Sequence, residues 1–205
     1  MTVRANDAIE IFLLDREQKA SCLLEKLSST YKQNNYLITS IQKQLLEHLE
    51  EEVIILFRQP AYDLETALTY RAYYAGFRYY YTQSVDNERI CKKIYDNTEF
   101  LSFKYEKDNQ PSAINKFEHD VRTQIVDPTI CEELLKYSKR LLDRMTVKTD
   151  MLRYFMFYIA FRDCESFEMV YGEGKAKKQK IRFLNDWLKM KIPDIILDSV
   201  SLEEI

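Results

Sequence analysis

The chain has 205 residues, enough for one large domain or two small ones, and at that size a core forms without disulfide or metal staples. It carries only three glycines and four prolines, too few for the tight turns of an all-β protein, so long helices with few connections are expected. Nothing in a net charge of -3 suggests a protein built as a whole around nucleic acid, and no apolar run approaches the ~20 residues of a membrane-spanning helix.

The first segment has no secretory-signal layout, because Ile9 to Leu14 is interrupted by Glu10 and soon meets Asp15 and Arg16. A first helix is expected from about Asp7, as N-cap, to Tyr31, with Ile9, Leu13, Ala20, Leu23, Leu24, Leu27 and Tyr31 on one stripe. Gln33, Asn34 and Asn35 mark the expected break. A second helix should run from Tyr36 to Arg58, its seam formed by Ile38, Ile41, Leu45, Leu49, Val53 and Leu56. Pro60 should end it and open a third helix, reaching about Ser84.

A fourth helix is expected from Asp86 to Tyr105, followed by a loop at Glu106 to Gln110. Pro111 opens a fifth, with Ile114, Phe117, Val121 and Ile125 inward. Asp127-Pro128 is a cap followed by a first-turn proline, so a sixth helix starts there and reaches Met145. A seventh spans Asp150 to Tyr171, with the apolar run Met151 to Phe161 as a core segment and Gly172 as C-cap. An eighth spans Lys175 to Lys191 and stops at Pro193; the tail from Asp194 has room for a short helix. The expected fold is all-α: one domain over residues 1–205, a bundle of about eight helices around an aromatic-rich one. The 106–110 loop is the place where it would subdivide.

The third helix carries the most unusual composition. Tyr70, Tyr73, Tyr74, Phe77, Tyr80 and Tyr81 form a broad aromatic face, and Leu68, Ala72, Ala75 and Gly76 a slim one open to close approach by another helix. Arg71 and Arg78 project from the same side two turns apart. With Tyr74 and Tyr81 they are candidates for a ligand or anion pocket, guanidinium groups lying over aromatic rings. The plainer reading is a core helix whose arginines pair with carboxylates or reach water.

The eighth helix opens on a basic run. Lys175, Lys177, Lys178, Lys180 and Arg182 are candidates for phosphate or nucleic-acid contact, since lysines at a helix start oppose the dipole and suit an anion. The competing reading is a solvated face balanced by the acidic tail. The spacing of Gly172, Gly174 and Lys175 does not make a phosphate-binding P-loop.

Catalytic signatures are missing. His48 and His119 are the only histidines, neither belongs to a Glu-x-x-His or HExxH element, and no GxSxG is present. The cysteines Cys22, Cys91, Cys131 and Cys164 are far apart, read as small buried hydrophobes, and fit a reducing cytoplasm. No catalytic residue, metal site or cofactor is assigned, and no membrane partner. The expected function is that of a non-enzymatic helical protein that binds another protein. Nucleic-acid or phosphate binding through residues 175–191 is the second reading, and a pocket around Arg71 and Arg78, in a ligand binder or enzyme, the third. A homo-oligomer is compatible with all three.

Overall fold

A computed structural model describes residues 5–81, 109–167 and 175–197. All regular structure among the described residues is α-helical: α1 (Ala5–Leu27), α2 (Ser29–Leu46), α3 (Glu51–Tyr81), α4 (Asn109–Gln124), α5 (Pro128–Phe167) and α6 (Lys175–Lys191). The six helices differ from the expected eight for two reasons. The helix expected at Asp86 to Tyr105 lies outside the described residues, and the sixth and seventh are one continuous helix, α5.

Several boundaries differ from expectation. α1 already starts at Ala5, so Asp7 lies inside it and is not its cap, and Ile9, expected on its inner stripe, is 58% exposed; α4 starts at Asn109, ahead of Pro111 and inside the expected loop. The others have a visible physical reason. The first break falls at Ser28, not at Gln33 to Asn35. Ser28 Oγ accepts from the Tyr31 amide (3.1 Å), capping α2. Asn34, 2% exposed, sits inside α2 and donates to the Arg144 carbonyl on α5 (2.7 Å). Its polarity serves a helix-helix bond, not a turn.

The second break falls at residues 47–50, where no glycine or proline signals it. Glu47, Glu50 and Glu51 would repel one another at three- and four-residue spacing in an unbroken helix. With the break, Glu51 and Glu52 occupy the first turn of α3, where the helix dipole favours negative charge.

Pro60 therefore lies inside α3 and ends nothing. An interior proline costs about 3 kcal/mol. Burial of Ile54, Phe57 and Ala61 around it outweighs that, at roughly 1.5–3 kcal/mol for each of the two larger side chains. The stretch 146–149 is likewise helical within α5. Thr146 and Thr149 hydroxyls bond back to the carbonyls of Leu142 and Met145, so their polar groups are satisfied without a turn.

The chain divides into two compact units, each drawn from separate stretches: Met1–Lys32, Leu68–Ser102 and Asp150–Ile205 form one, Gln33–Ala67 and Phe103–Thr149 the other. In the first unit the core is built on α5. From Phe155 to Phe161 every residue is at most 2% exposed, as a helix apolar all round requires. The slim face of α3 packs there. A Cβ on Gly76 would lie 2.1 Å from the Phe157 carbonyl oxygen and 2.9 Å from Ala160 Cβ. Tyr79 and Tyr80 place their rings 5.8 and 5.0 Å from that of Phe161. Leu24, Leu27, Leu184 and Leu188 close the cluster from α1 and α6.

Two polar devices hold this unit together. On the first, Tyr73 of α3 donates to Asp163 of α5 (2.6 Å), and Arg16 Nε of α1 lies 3.1 Å from the same carboxylate oxygen. Burial pushes the Asp163 carboxyl above the ordinary carboxylate range, against the Tyr73 hydrogen bond and the charges of Arg16 and Lys19. The Tyr73 hydroxyl is raised too, by burial first and then by its bond to Asp163.

On the second, Asp194 just past α6 accepts from the Ser28 and Ser29 hydroxyls (2.9 Å each) and the Thr30 amide (2.7 Å) at the start of α2. The Ile196 amide bonds the Leu27 carbonyl beside it (3.0 Å). Burial alone would raise the Asp194 carboxyl; the donors from Thr30, Ser28 and Ser29 outweigh it and hold it below its ordinary value. Its contribution is therefore complete above the ordinary carboxylate pKa and is lost as pH falls through the lowered one. We expect Asp194→Ala to cost about 1–2 kcal/mol at neutral pH, as lost caps do. In urea titrations across the acid range the gap to wild type should close as pH falls; a gap independent of pH would refute this.

In the second unit Asp127 caps α5 through the amides of Thr129 (2.8 Å) and Ile130, with Pro128 at the first helical position, as the sequence suggests. Ile38, Ile41, Leu45, Leu49, Ile54, Phe57, Phe117, Val121, Leu134 and Leu141 form its core. Glu65, 4% exposed, accepts from Lys148 Nζ (2.6 Å) and lies 2.9 Å from the Thr149 hydroxyl. No described helix is long and apolar enough to cross a membrane.

Candidate interaction cleft

The pocket residues expected on the aromatic helix lie at the surface of the first unit. Tyr74 and Tyr81 are 49% and 52% exposed, Arg78 is exposed and Arg71 half-buried. Phe77, 43% exposed, brings its ring 4.9 Å from that of Tyr81. The broad aromatic face thus divides. Tyr73 and Tyr80 enter the core beside Tyr79, which is not part of that face, while Tyr74, Phe77 and Tyr81 form an outward strip.

The basic run on α6 divides as well. Arg182 is exposed. Lys180 is 4% exposed and its ammonium donates to the carbonyls of Tyr79 (3.2 Å) and Tyr80 (3.4 Å), 5.1 Å from the Tyr79 ring centre. It thereby bonds carbonyls in the last described turn of α3. The side chains of Lys175, Lys177 and Lys178 fall outside the described residues, as do Gly172 to Gly174.

Neither histidine joins a polar cluster of catalytic or metal-binding type. His48 lies in the α2–α3 break, so no helical pairing with Glu52 forms, and His119 is exposed on α4. Among the described residues no three His, Cys, Asp or Glu side chains converge as a metal cage would require. Cys131 and Cys164 are buried as expected, Cys22 is exposed, and Cys91 lies outside the described residues.

A site the sequence reading did not single out lies in the second unit, between the start of α3 and α4. The break at 47–50 creates it. Ile38, Ile41, Leu45 and Leu49 are buried as the single seam predicts, but the new helix starts in a different phase. Ile54 and Phe57 turn inward, Val53 is half-buried, and Ile55 and Leu56 are each 49% exposed. Five consecutive apolar residues, Val53 to Phe57, are the signal that could have revealed this. At 3.6 residues per turn one face cannot bury all five.

Leu56 borders a cleft of about 220 Å³ lined by Glu50, Glu52, Val53, Leu56, Phe57, Ala113, Lys116, Phe117 and Asp120. Its floor is the Phe57–Phe117 pair, centroids 4.2 Å apart and both nearly fully buried. The walls are Val53 and Leu56 from α3 and Ala113 from α4, where the small alanine leaves the opening. Three carboxylates and one lysine line its polar margin. Small-molecule pockets run to roughly 300–1,000 Å³. This cleft is below that range and suits one or two apolar side chains of a larger partner. No protein-family model, curated protein or solved structure matches the chain.

Proposed function

We propose that this chain is a helical protein-interaction module whose partner docks on the second unit at the α3–α4 cleft. The carrying observation is the exposed aliphatic side chain of Leu56, which lines an apolar-floored opening, with the equally exposed Ile55 next to it in the chain. Exposed apolar area next to a pocket is how anchored protein interfaces begin, with one buried side chain of the partner supplying much of the affinity.

A photo-crosslinking residue placed at Ile55, with a second placement at the exposed Met190 as reference, tests this in native lysate. We expect one product specific to Ile55. Leu56→Asp should weaken that capture at least tenfold, about 1.4 kcal/mol, while changing unfolding free energy by no more than about 0.5 kcal/mol, as a surface substitution does. The same products from both placements, or capture unaffected by Leu56→Asp, would refute the assignment.

A further inference from the structure

We infer that the segment bound in the cleft is cationic: a short amphipathic stretch with Lys or Arg beside a bulky apolar anchor. This rests on the docking role of the cleft and goes one step further, to the chemistry of the partner. Glu50, Glu52 and Asp120 line the opening against Lys116 alone, so its margin carries a formal excess of two negative charges, three minus one. Glu52 has a local reason to be acidic, because it sits in the first turn of α3. Asp120 has no such help from a helix dipole, though Lys116 stands four residues before it on the same helix. Asp120 lies toward the C-terminal half of α4, where the dipole does not favour a carboxylate, and it faces Glu50 and Glu52 across the apolar floor.

An acidic margin around an apolar slot selects a partner in two ways. The slot accepts a Leu, Ile, Met or Phe side chain, which gives affinity. The carboxylates attract flanking cations and repel flanking anions, which gives specificity and speeds encounter. The exposed Glu51, beside Glu50 and Glu52 at the start of α3, extends the same potential.

The test uses the full chain and three helical peptides with one identical Leu/Ile face. Their flanking positions carry lysine, glutamate or glutamine, and binding is read by fluorescence anisotropy at low and physiological salt. The lysine peptide should bind about tenfold tighter than the glutamine one at low salt, as three weak ion pairs allow. The glutamate peptide should bind weakest. The triple variant E50Q/E52Q/D120N should erase the preference for the lysine peptide over the glutamine one, together with its salt dependence. All three changes are at positions outside the core, and a single cooperative unfolding transition, lowered only slightly by the loss of the Glu52 charge at the start of α3, confirms the fold.

Equal binding of all three peptides overturns the charge assignment while leaving the cleft as a docking site. Loss of the glutamine peptide on Ala113→Phe, which fills the slot, identifies the cleft as the site. No binding by any peptide overturns the inference. So does a monomer–dimer equilibrium abolished by Leu56→Asp, which would give the cleft to a second copy of the chain.

Discussion

Gly76→Ala should destabilise the protein by about 3 kcal/mol, the upper end of ordinary overpacking costs. The sign separates two accounts of this glycine. In an exposed helix interior the same change stabilises by up to about 1 kcal/mol, because alanine is the better helix former. Here the added methyl would stand 2.1 Å from the Phe157 carbonyl oxygen, 3.0 Å from its carbonyl carbon and 2.9 Å from Ala160 Cβ. The nearest obstacle is backbone, so no rotamer change relieves it. Either α3 moves off α5, opening the packing of Tyr79 against Phe157 and Phe161, or the helix does not form there. Chemical denaturation of wild type and variant decides the matter; an equal or higher midpoint for Gly76→Ala would refute the close approach.

Asp163→Ala should cost about 3 kcal/mol at neutral pH, the lower end for removing one partner of a buried pair. The carboxylate accepts from Tyr73 and lies beside Arg16, whose side chain is only 16% exposed. Its loss leaves a buried phenol without that acceptor and a largely buried guanidinium without that counter-charge. The intact pair is nevertheless no large net gain, since burial raises the Asp163 carboxyl despite both partners. Replacing the trio with apolar groups, as in R16M/Y73F/D163L, should therefore recover most of the loss.

The pH dependence follows from the direction of the shift. A carboxyl raised in the folded state contributes stability at pH below its ordinary value, and that contribution is lost as pH rises through the raised one. The advantage of wild type over Asp163→Asn should shrink as pH rises through the acid range. This is opposite to Asp194, whose carboxyl is held low by three donors, so urea titrations of the two variants should diverge. Parallel profiles would refute the two environments.

Much of the helical architecture is legible in residue order because it depends on short-range chemistry. Scarce glycine and proline point to long helices. Asp127-Pro128 starts α5, and Pro193 follows the end of α6 closely. Within the run Met151 to Phe161, which Arg153 interrupts, the stretch Phe155 to Phe161 is apolar on every side and lies in the core of the first unit. The slim face at Ala72, Ala75 and Gly76 is readable from side-chain size alone, though not which helix fills it.

What residue order left undecided turns on contacts between distant segments. Asn34, Pro60 and the 146–149 stretch all carry local breaking signals worth up to about 3 kcal/mol. Each is overridden, by a bond to the Arg144 carbonyl, by the burial of Phe57 and Ala61, or by back-bonding threonines. Lys180 reads as one more surface charge in a basic run until α6 is packed against the end of α3. The cleft follows the same logic. Its exposed Leu56 belongs to a regular seam in the sequence, and only the break at 47–50 rotates it outward. That break exists because glutamates cost little at the start of a helix and more in its middle, a balance that the burial of Leu49 and Ile54 on either side settles.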